Sequence, residues 1–248
     1  MEIVPLEILA LACIAFLGAV IFGITGFGSA LLTIPLSTFV VPLPFALAMF
    51  ALLDLVGAAR IGFEDPKNAV RAEWMRMLPM ILAGSVTGVT LLVNLPRQVA
   101  MFALAAFVIS MGVSTFVRGG ALRTVSRGWA YPAGYAGGIT STLFGAGGPP
   151  YAIYLSRRGL TKEQYRATLG RCALMSISIR VLAFIASGLL LDPRVWLTAL
   201  FVFPATWLGI TVARRIFRIM SRDLLMRIIA LGLLATGASL AVRASLLL

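Results

Sequence analysis

Histidine is absent from all 248 residues of this chain, and only 12% of the residues are charged. Without histidine, Ser/His proteolysis of the rhomboid type, histidine-ligated haem and most zinc or non-haem iron chemistry are excluded. The two cysteines, Cys13 and Cys172, both lie in apolar runs, where we expect them to pack rather than to form a disulfide or bind a metal. The sequence therefore predicts no metal site and no cofactor.

The scarcity of charge is matched by an excess of apolar residues, which make up 60% of the chain. Apolar runs of about 18 residues or more recur throughout, as in a polytopic helical membrane protein. The first run, "IVPLEILALACIAFLGAVIFG", has neither a basic leader nor a small-residue cleavage site, so a removable signal peptide is not expected. We predict helical elements at about 4–22, 29–41, 44–61, 76–93, 97–117, 128–144, 149–156, 163–190, 195–213 and 224–246.

The elements at 29–41 and 149–156 are too short to cross a hydrocarbon layer of about 30 Å. Each follows a glycine cluster directly. We therefore interpret each as half of a broken or re-entrant helix.

The net charge of +12 is confined largely to short loops, a distribution typical of cytoplasmic loops rather than of a nucleic-acid interface. The loops at 60–76, 118–127, 157–166 and 214–227 carry three to five Lys or Arg each, whereas the alternate connections carry at most one. This bias predicts an outside amino terminus and basic loops in the cytoplasm. The connector at 63–76 is predicted to be solvated.

The chain also contains an internal duplication. At an offset of 119 residues, "GFGSALLTIPLS" at 26–37 aligns without a gap on "GAGGPPYAIYLS" at 145–156. Five elements per half is an odd number, so the second half enters the membrane from the opposite side. The predicted fold is an all-α polytopic membrane protein of two inverted repeats, 1–118 and 128–248, joined by a cytoplasmic linker at 119–127 into one membrane domain.

The two glycine-rich breaks are candidates for a binding site. Irregular backbone survives at membrane depth only where protein or a wet cavity satisfies its polar groups. The helix after each break directs free N–H groups and a positive dipole end toward the midplane, and Pro149 and Pro150 suit a helix start. Two such half-helices would form an anion cradle, although close helix packing is the alternative explanation for the glycines.

Two arginines lie in the apolar part of the long helix that a capping box at Thr161 and Gln164 starts near residue 162. Arg171 is shallow enough to reach the headgroups, whereas Arg180 lies near the midplane. Nine residues separate them, which places them on opposite faces of a straight helix. Arg180 is the candidate for the substrate charge, because a guanidinium offers paired donors to anionic oxygens.

Asp54 lies near the midplane of another helix, where a carboxylate is a functional candidate. It is either a proton carrier or the counter-ion of Arg180, and the two roles are compatible. The predicted substrate-binding residues are Gly26, Phe27, Gly28, Ser29, Gly145, Ala146, Gly147, Gly148 and Arg180, with Arg171 as a secondary anion contact and no catalytic residue.

Three stretches give the chain a specific resemblance: "GITGFGSALLTIPL" at 23–36, "GGITSTLFGAGGPPYAIYL" at 137–155 and "YRATLGRCALMSISIR" at 165–180. Over essentially its whole length the chain resembles the TauE/SafE family of bacterial permeases for sulfite and organosulfonate anions. The resemblance implies a transporter of such an anion in the bacterial inner membrane, and an exporting direction.

Other classes of function are alternatives to a coupled carrier. An uncoupled anion channel or facilitator uses the same dipoles, and a structural membrane subunit would bind no solute. "DLVGAAR" at 54–60 resembles the opening of the CDP-alcohol phosphotransferases but lacks their further aspartates, so no enzyme is predicted. The expected partners are a small anionic substrate and the lipid bilayer, without nucleic acid, and a homo-oligomer is compatible with the sequence.

Overall fold

A computed structural model describes residues 5–26, 29–37, 39–94 and 124–219, with isolated positions at 99–109 and 221–242. The elements in these ranges are helical, which confirms an all-α polytopic membrane protein. The helices are α1 (Pro5–Thr25), α2 (Ser29–Ser37), α3 (Leu43–Glu64), α4 (Arg71–Asn94), a 3₁₀ turn (Arg127–Trp129), α5 (Ala130–Phe144), α6 (Gly148–Ser156), α7 (Lys162–Ala186) and α8 (Pro193–Ile219).

Four of the described helices are long and apolar enough to cross a membrane. They are α1, α3, α7 and α8, each of them with 21 residues or more. Helix α4 begins five residues before the predicted apolar run at 76–93, because its first turn carries charged residues that an apolar scan passes over. The predicted elements at 97–117 and 224–246 and most of the linker at 119–127 lie outside the described residues, and the division into repeats stays a prediction.

Both breaks are made by a glycine in the left-handed conformation. Gly26 follows α1 with φ of 78°, and Gly145 follows α5 with φ of 72°. The Gly145 N–H donates to the Ser141 carbonyl at 2.9 Å, and the next N–H, of Ala146, reaches back to Thr140 at 3.1 Å. This pattern satisfies the last carbonyls of α5 and turns the chain sharply. The carboxyl end of α5 is therefore capped by hydrogen bonds and is not frayed.

The half-helices that follow the breaks are short, and α2 ends at Ser37, four residues before the predicted end at residue 41, because the chain turns at 39–41. Helices α2 and α6 have nine residues each. At ~1.5 Å per residue such a helix reaches only about 13 Å, less than half of a hydrocarbon layer. Pro149 and Pro150 occupy the first turn of α6, where the missing N–H groups leave no helical bond unmade.

Helix α7 begins at the predicted capping box. The Thr161 hydroxyl accepts the Gln164 N–H at 3.2 Å, and the Gln164 amide oxygen accepts the Thr161 N–H at 3.2 Å. The box fixes the register of a 25-residue helix whose sequence contains Arg171 and Arg180. It therefore fixes how deep Arg180 lies in the protein.

The helices pack in matched pairs. Helix α1 packs along α8, and α4 packs along α5. In the first pair, the first helix of the amino-terminal half packs on the fourth helix of the carboxy-terminal half. In the second pair, the fourth helix of the amino-terminal half packs on the first helix of the carboxy-terminal half. Helices α3 and α7, which follow the short helices of each half, pack against each other at the centre. Residues from α3 and α7 dominate one apolar core cluster, so the middle of the molecule lies between them.

Candidate functional site

An ion pair links the two central helices. The Arg180 Nη2 of α7 donates to the Asp54 Oδ2 of α3 at 3.0 Å. The side chains are 2% and 7% exposed, so the pair is almost completely enclosed by protein. Two charges are tolerated at this depth only when they neutralise each other and their remaining polar atoms find partners. The structure thus brings together the two buried charges that the sequence singles out.

The first break reaches the same pair through Ser29. This serine opens the first turn of α2, and its hydroxyl donates to the Asp54 Oδ1 at 2.7 Å. Each carboxylate oxygen therefore has its own donor, one neutral and one cationic. The amino end of a half-helix and the carboxylate are held in direct contact.

The second break reaches the pair through its left-handed glycine. A Cβ added to Gly145 would lie 2.5 Å from the Arg180 Nη1 and 2.8 Å from the Ala30 Cβ. Only a glycine allows the guanidinium and α2 to approach the backbone this closely. The two breaks, the arginine and the carboxylate consequently share one small region.

The remaining glycines of the breaks have other neighbours. A Cβ on Gly26 would lie 2.8 Å from the Leu169 Cδ2, and one on Gly147 would lie 2.7 Å from the Ser141 Cβ. Both glycines thus allow close packing, which agrees with the alternative explanation for them. Ala146, next to the break, and Gly148, the first residue of α6, are both buried.

Of three further predicted site residues, one lies away from the Arg180–Asp54 pair and two lie outside the described residues. Phe27 and Gly28 lie outside the described residues. Arg171 stacks on the ring of Phe63, with its guanidinium carbon 4.4 Å from the ring centroid. Phe63 is 60% exposed, so this arginine is placed at the surface and not beside Arg180.

A small cavity beside Asp54 is a feature that the sequence did not indicate. Its lining includes Ser29, Thr33, Asp54 and Thr206, and its volume is about 10 Å³. The hydroxyls of Thr33 and Thr206 are buried and have no hydrogen-bond partner among the described residues. Threonines inside strongly apolar helices were the available signal, but threonine is common in such helices.

Glu73 and Arg158 form a second buried ion pair at the amino end of α4. The positive charge of the neighbouring loops predicts that this end of α4 faces the cytoplasm. Glu73 is 3% exposed and accepts bonds from Arg158 Nη2 at 3.0 Å and from the Tyr154 hydroxyl. The prediction that the whole connector at 63–76 is solvated is therefore wrong for Glu73. A glutamate in the first turn of an apolar helix was the signal, because a buried carboxylate requires a cationic partner.

The geometry around Arg180 suits a small anion. Arg180 can exchange one anionic partner, Asp54, for another, and its Nε has no hydrogen-bond partner among the described residues. The first turn of α2, whose Ser29 contacts Asp54, adds a positive dipole end to the same region. Within the described residues no group of His, Cys, Asp or Glu forms a metal site.

Comparison with known proteins gives two matches. The family model described as "Sulfite exporter TauE/SafE" matches residues 11–240. The chain is also 24% identical over 165 residues to the "Probable inner membrane transporter protein TsaS" of Comamonas testosteroni, covering 66% of this chain and 69% of that protein. No solved structure matches it. The chain belongs to the TauE/SafE family, whose members are membrane transporters and not enzymes.

Proposed function

We propose that this protein exports a small anion, sulfite or an organosulfonate, by alternating access around Arg180. The observation that carries the proposal is the position of the Arg180 guanidinium, which contacts Asp54 and lies against the Gly145 break. An arginine so deep in a membrane protein requires a function or a partner, and here a single carboxylate holds it. An incoming anion would take the place of that carboxylate.

The enclosure of the pair favours a carrier over a channel. With Arg180 only 2% exposed, an anion reaches it only if helices move apart on one side. The matched packing of α1 with α8 and of α4 with α5 supports two structurally equivalent halves. Rocking of one such half against the other would open the site to each side in turn.

Asp54 would couple the anion to a proton. In the enclosed state its charge neutralises Arg180 at 3.0 Å. Protonation would release the arginine, and the released arginine would bind the anion. Proton and anion would therefore bind together, each favouring the other by the same factor, and export would require an outward anion gradient that exceeds the opposing proton gradient.

The proposed chemical class of the substrate and the proposed cellular location of the protein are based on the similar proteins. The family description names sulfite, and the Comamonas relative is named as an inner membrane transporter. A sulfur oxyanion suits the forked donors of a guanidinium. We place the chain in the bacterial inner membrane with its basic loops in the cytoplasm, on the bias in loop charge.

The experiment that tests this function is thermal stabilisation of the purified protein by anions. The panel contains sulfite, sulfate, taurine, sulfoacetate, isethionate, lactate and chloride. We expect sulfite or one of the sulfonates to raise the melting temperature selectively, because ligands that bind only the folded state stabilise it. The absence of a shift with every anion, in protein shown to be folded, would contradict an anion site.

Gly145→Ala is expected to lower the apparent anion affinity, measured from the anion-dependent stabilisation, by about tenfold. Displacing the guanidinium needs to cost only about 1.4 kcal/mol of binding free energy to produce that change. The added methyl would lie 2.5 Å from Arg180 Nη1. Gly159→Ala is the matched control, because Gly159 has a similar φ of 66° and no atom within 4 Å of an added Cβ. Equal losses in the two variants would show that only backbone strain is being measured.

A further inference from the structure

A cavity of about 10 Å³ lies beside Asp54, on the side where α1, α2 and α8 face α3. We propose that it holds one water molecule that delivers the coupling proton to Asp54. The inference rests on the proposed function, since it assigns the route by which the proton reaches that carboxylate. It assigns Thr33 and Thr206 to this route as positioning residues.

The two threonines carry the argument because their hydroxyls are buried and unpartnered. Thr33 of α2 is 1% exposed and Thr206 of α8 is 5% exposed, and neither hydroxyl has a hydrogen-bond partner among the described residues. Elsewhere on α8, Thr198 and Thr211 donate to the carbonyl one turn back, at 2.8 and 2.7 Å. Buried hydroxyls without partners are rare, because each costs about 1 to 3 kcal/mol.

The size of the cavity fits one water molecule. A space of about 10 to 15 Å³ on this measure holds a single water, which then needs two to four polar partners. The lining supplies the two hydroxyls, Ser29 and the Asp54 carboxylate. A water can donate to one threonine and accept from the other, so it satisfies both.

The charges around Asp54 favour water over a metal cation. Arg180 of α7, at 3.0 Å, already neutralises the carboxylate. The residues that α1, α2 and α8 contribute to the lining are uncharged. On α3 itself, Arg60 is directed to the Trp207 carbonyl and the Thr211 hydroxyl of α8. A sodium ion there would be an uncompensated positive charge, whereas a water is neutral.

The position of the cavity separates the proton from the anion. The lining residues come from α1, α2, α3 and α8, and Arg180 of α7 is not among them. A proton arriving as hydronium would pass to the carboxylate and leave a neutral water behind. The anion would approach the guanidinium, which is the other partner of Asp54, so neither ligand would block the other.

The test measures protonation of Asp54 directly, by infrared spectroscopy after a pH jump, without any anion present. The carboxyl band is identified by its loss in Asp54→Asn. We expect Thr206→Val and the double variant with Thr33→Val to slow its appearance by about tenfold or more, as loss of a positioned proton donor does. Thr206→Ser keeps the hydroxyl and is expected to retain the rate, and Thr87→Val controls for an exposed helical threonine whose hydroxyl bonds Ala83 and Tyr135.

Valine is a fair replacement because the methyl of Thr33 lies against Gly18 of α1, and valine keeps that contact. Sulfite-dependent thermal stabilisation is measured on the same variants and is expected to be unchanged. Unaltered protonation rates in the double variant would overturn the water route while leaving the anion site standing. A protonation rate that depends on sodium would overturn the water route in favour of a cation site. The absence of stabilisation of the wild type by sulfite would count against the proposed function alone.

Discussion

Arg180→Ala is expected to abolish both anion transport and anion-dependent stabilisation. Truncating one side of an enclosed charge pair costs about 2 to 5 kcal/mol of binding, or roughly thirty- to several-thousand-fold in affinity. Arg180 is 2% exposed, so water replaces its donors poorly. Transport is measured in proteoliposomes and binding by melting temperature, with sulfite as the probe in both.

The same substitution also strands the Asp54 charge, so a second variant is needed to separate binding from folding. Loss of one partner from a buried pair costs about 3 to 5 kcal/mol of stability. The double variant Arg180→Ala/Asp54→Asn removes both charges and is expected to recover most of that stability without recovering sulfite binding. Sulfite binding by the stable double variant would remove Arg180 from the site.

Asp54→Asn is expected to make anion binding independent of pH and to raise the affinity measured at high pH by about tenfold, the change that 1.4 kcal/mol produces. The sign follows from the pair: protonation of Asp54 releases Arg180, so binding by the wild type should strengthen as pH falls. Asparagine resembles the protonated acid in shape and charge. It keeps a partner for Ser29, whose hydroxyl now donates to the carboxylate at 2.7 Å.

Asp54→Asn should impair proton-driven transport even though it raises the affinity for the anion. Without a titrating group the variant cannot use a proton gradient, so an imposed pH gradient should no longer change its rate of sulfite transport. Isethionate is a useful second probe, since a sulfonate does not itself titrate near neutral pH. A variant with the pH dependence of the wild type would assign Asp54 to charge compensation alone.

The sequence predicted most of the fold because the bilayer imposes strong rules on local pattern. The apolar runs, the short elements after Gly26 and Gly145, and the capping box at Thr161 were each readable locally. The starting turn of α4 was missed, since its charges hide a helix that an ion pair with Arg158 stabilises from 85 residues away. Such pairing over long sequence separation leaves no periodic pattern.

The site was predictable in its charges but not in its contacts. Arg180 and Asp54 were conspicuous, because an ionisable residue near the midplane demands an explanation. Their pairing was one of the interpretations, and the structure shows it. The roles of individual glycines depend on the tertiary structure: Gly145 adjoins the guanidinium, whereas Gly147 packs against Ser141. The cavity beside Thr206 depends on how α8 meets α1 and α2, which no single helix reveals.

The pairing of α1 with α8 has a consequence for biosynthesis. At about 5 to 20 residues per second, α8 leaves the ribosome roughly ten to forty seconds after α1. During that interval the face of α1 that α8 later covers must be tolerated by lipid or by the insertion machinery. Small residues lie on this face, where Ala19 of α1 faces Gly209 of α8 and Gly23 of α1 faces Ala213 of α8. Small residues leave little exposed to lipid while the helix waits, and they allow a late partner to dock closely.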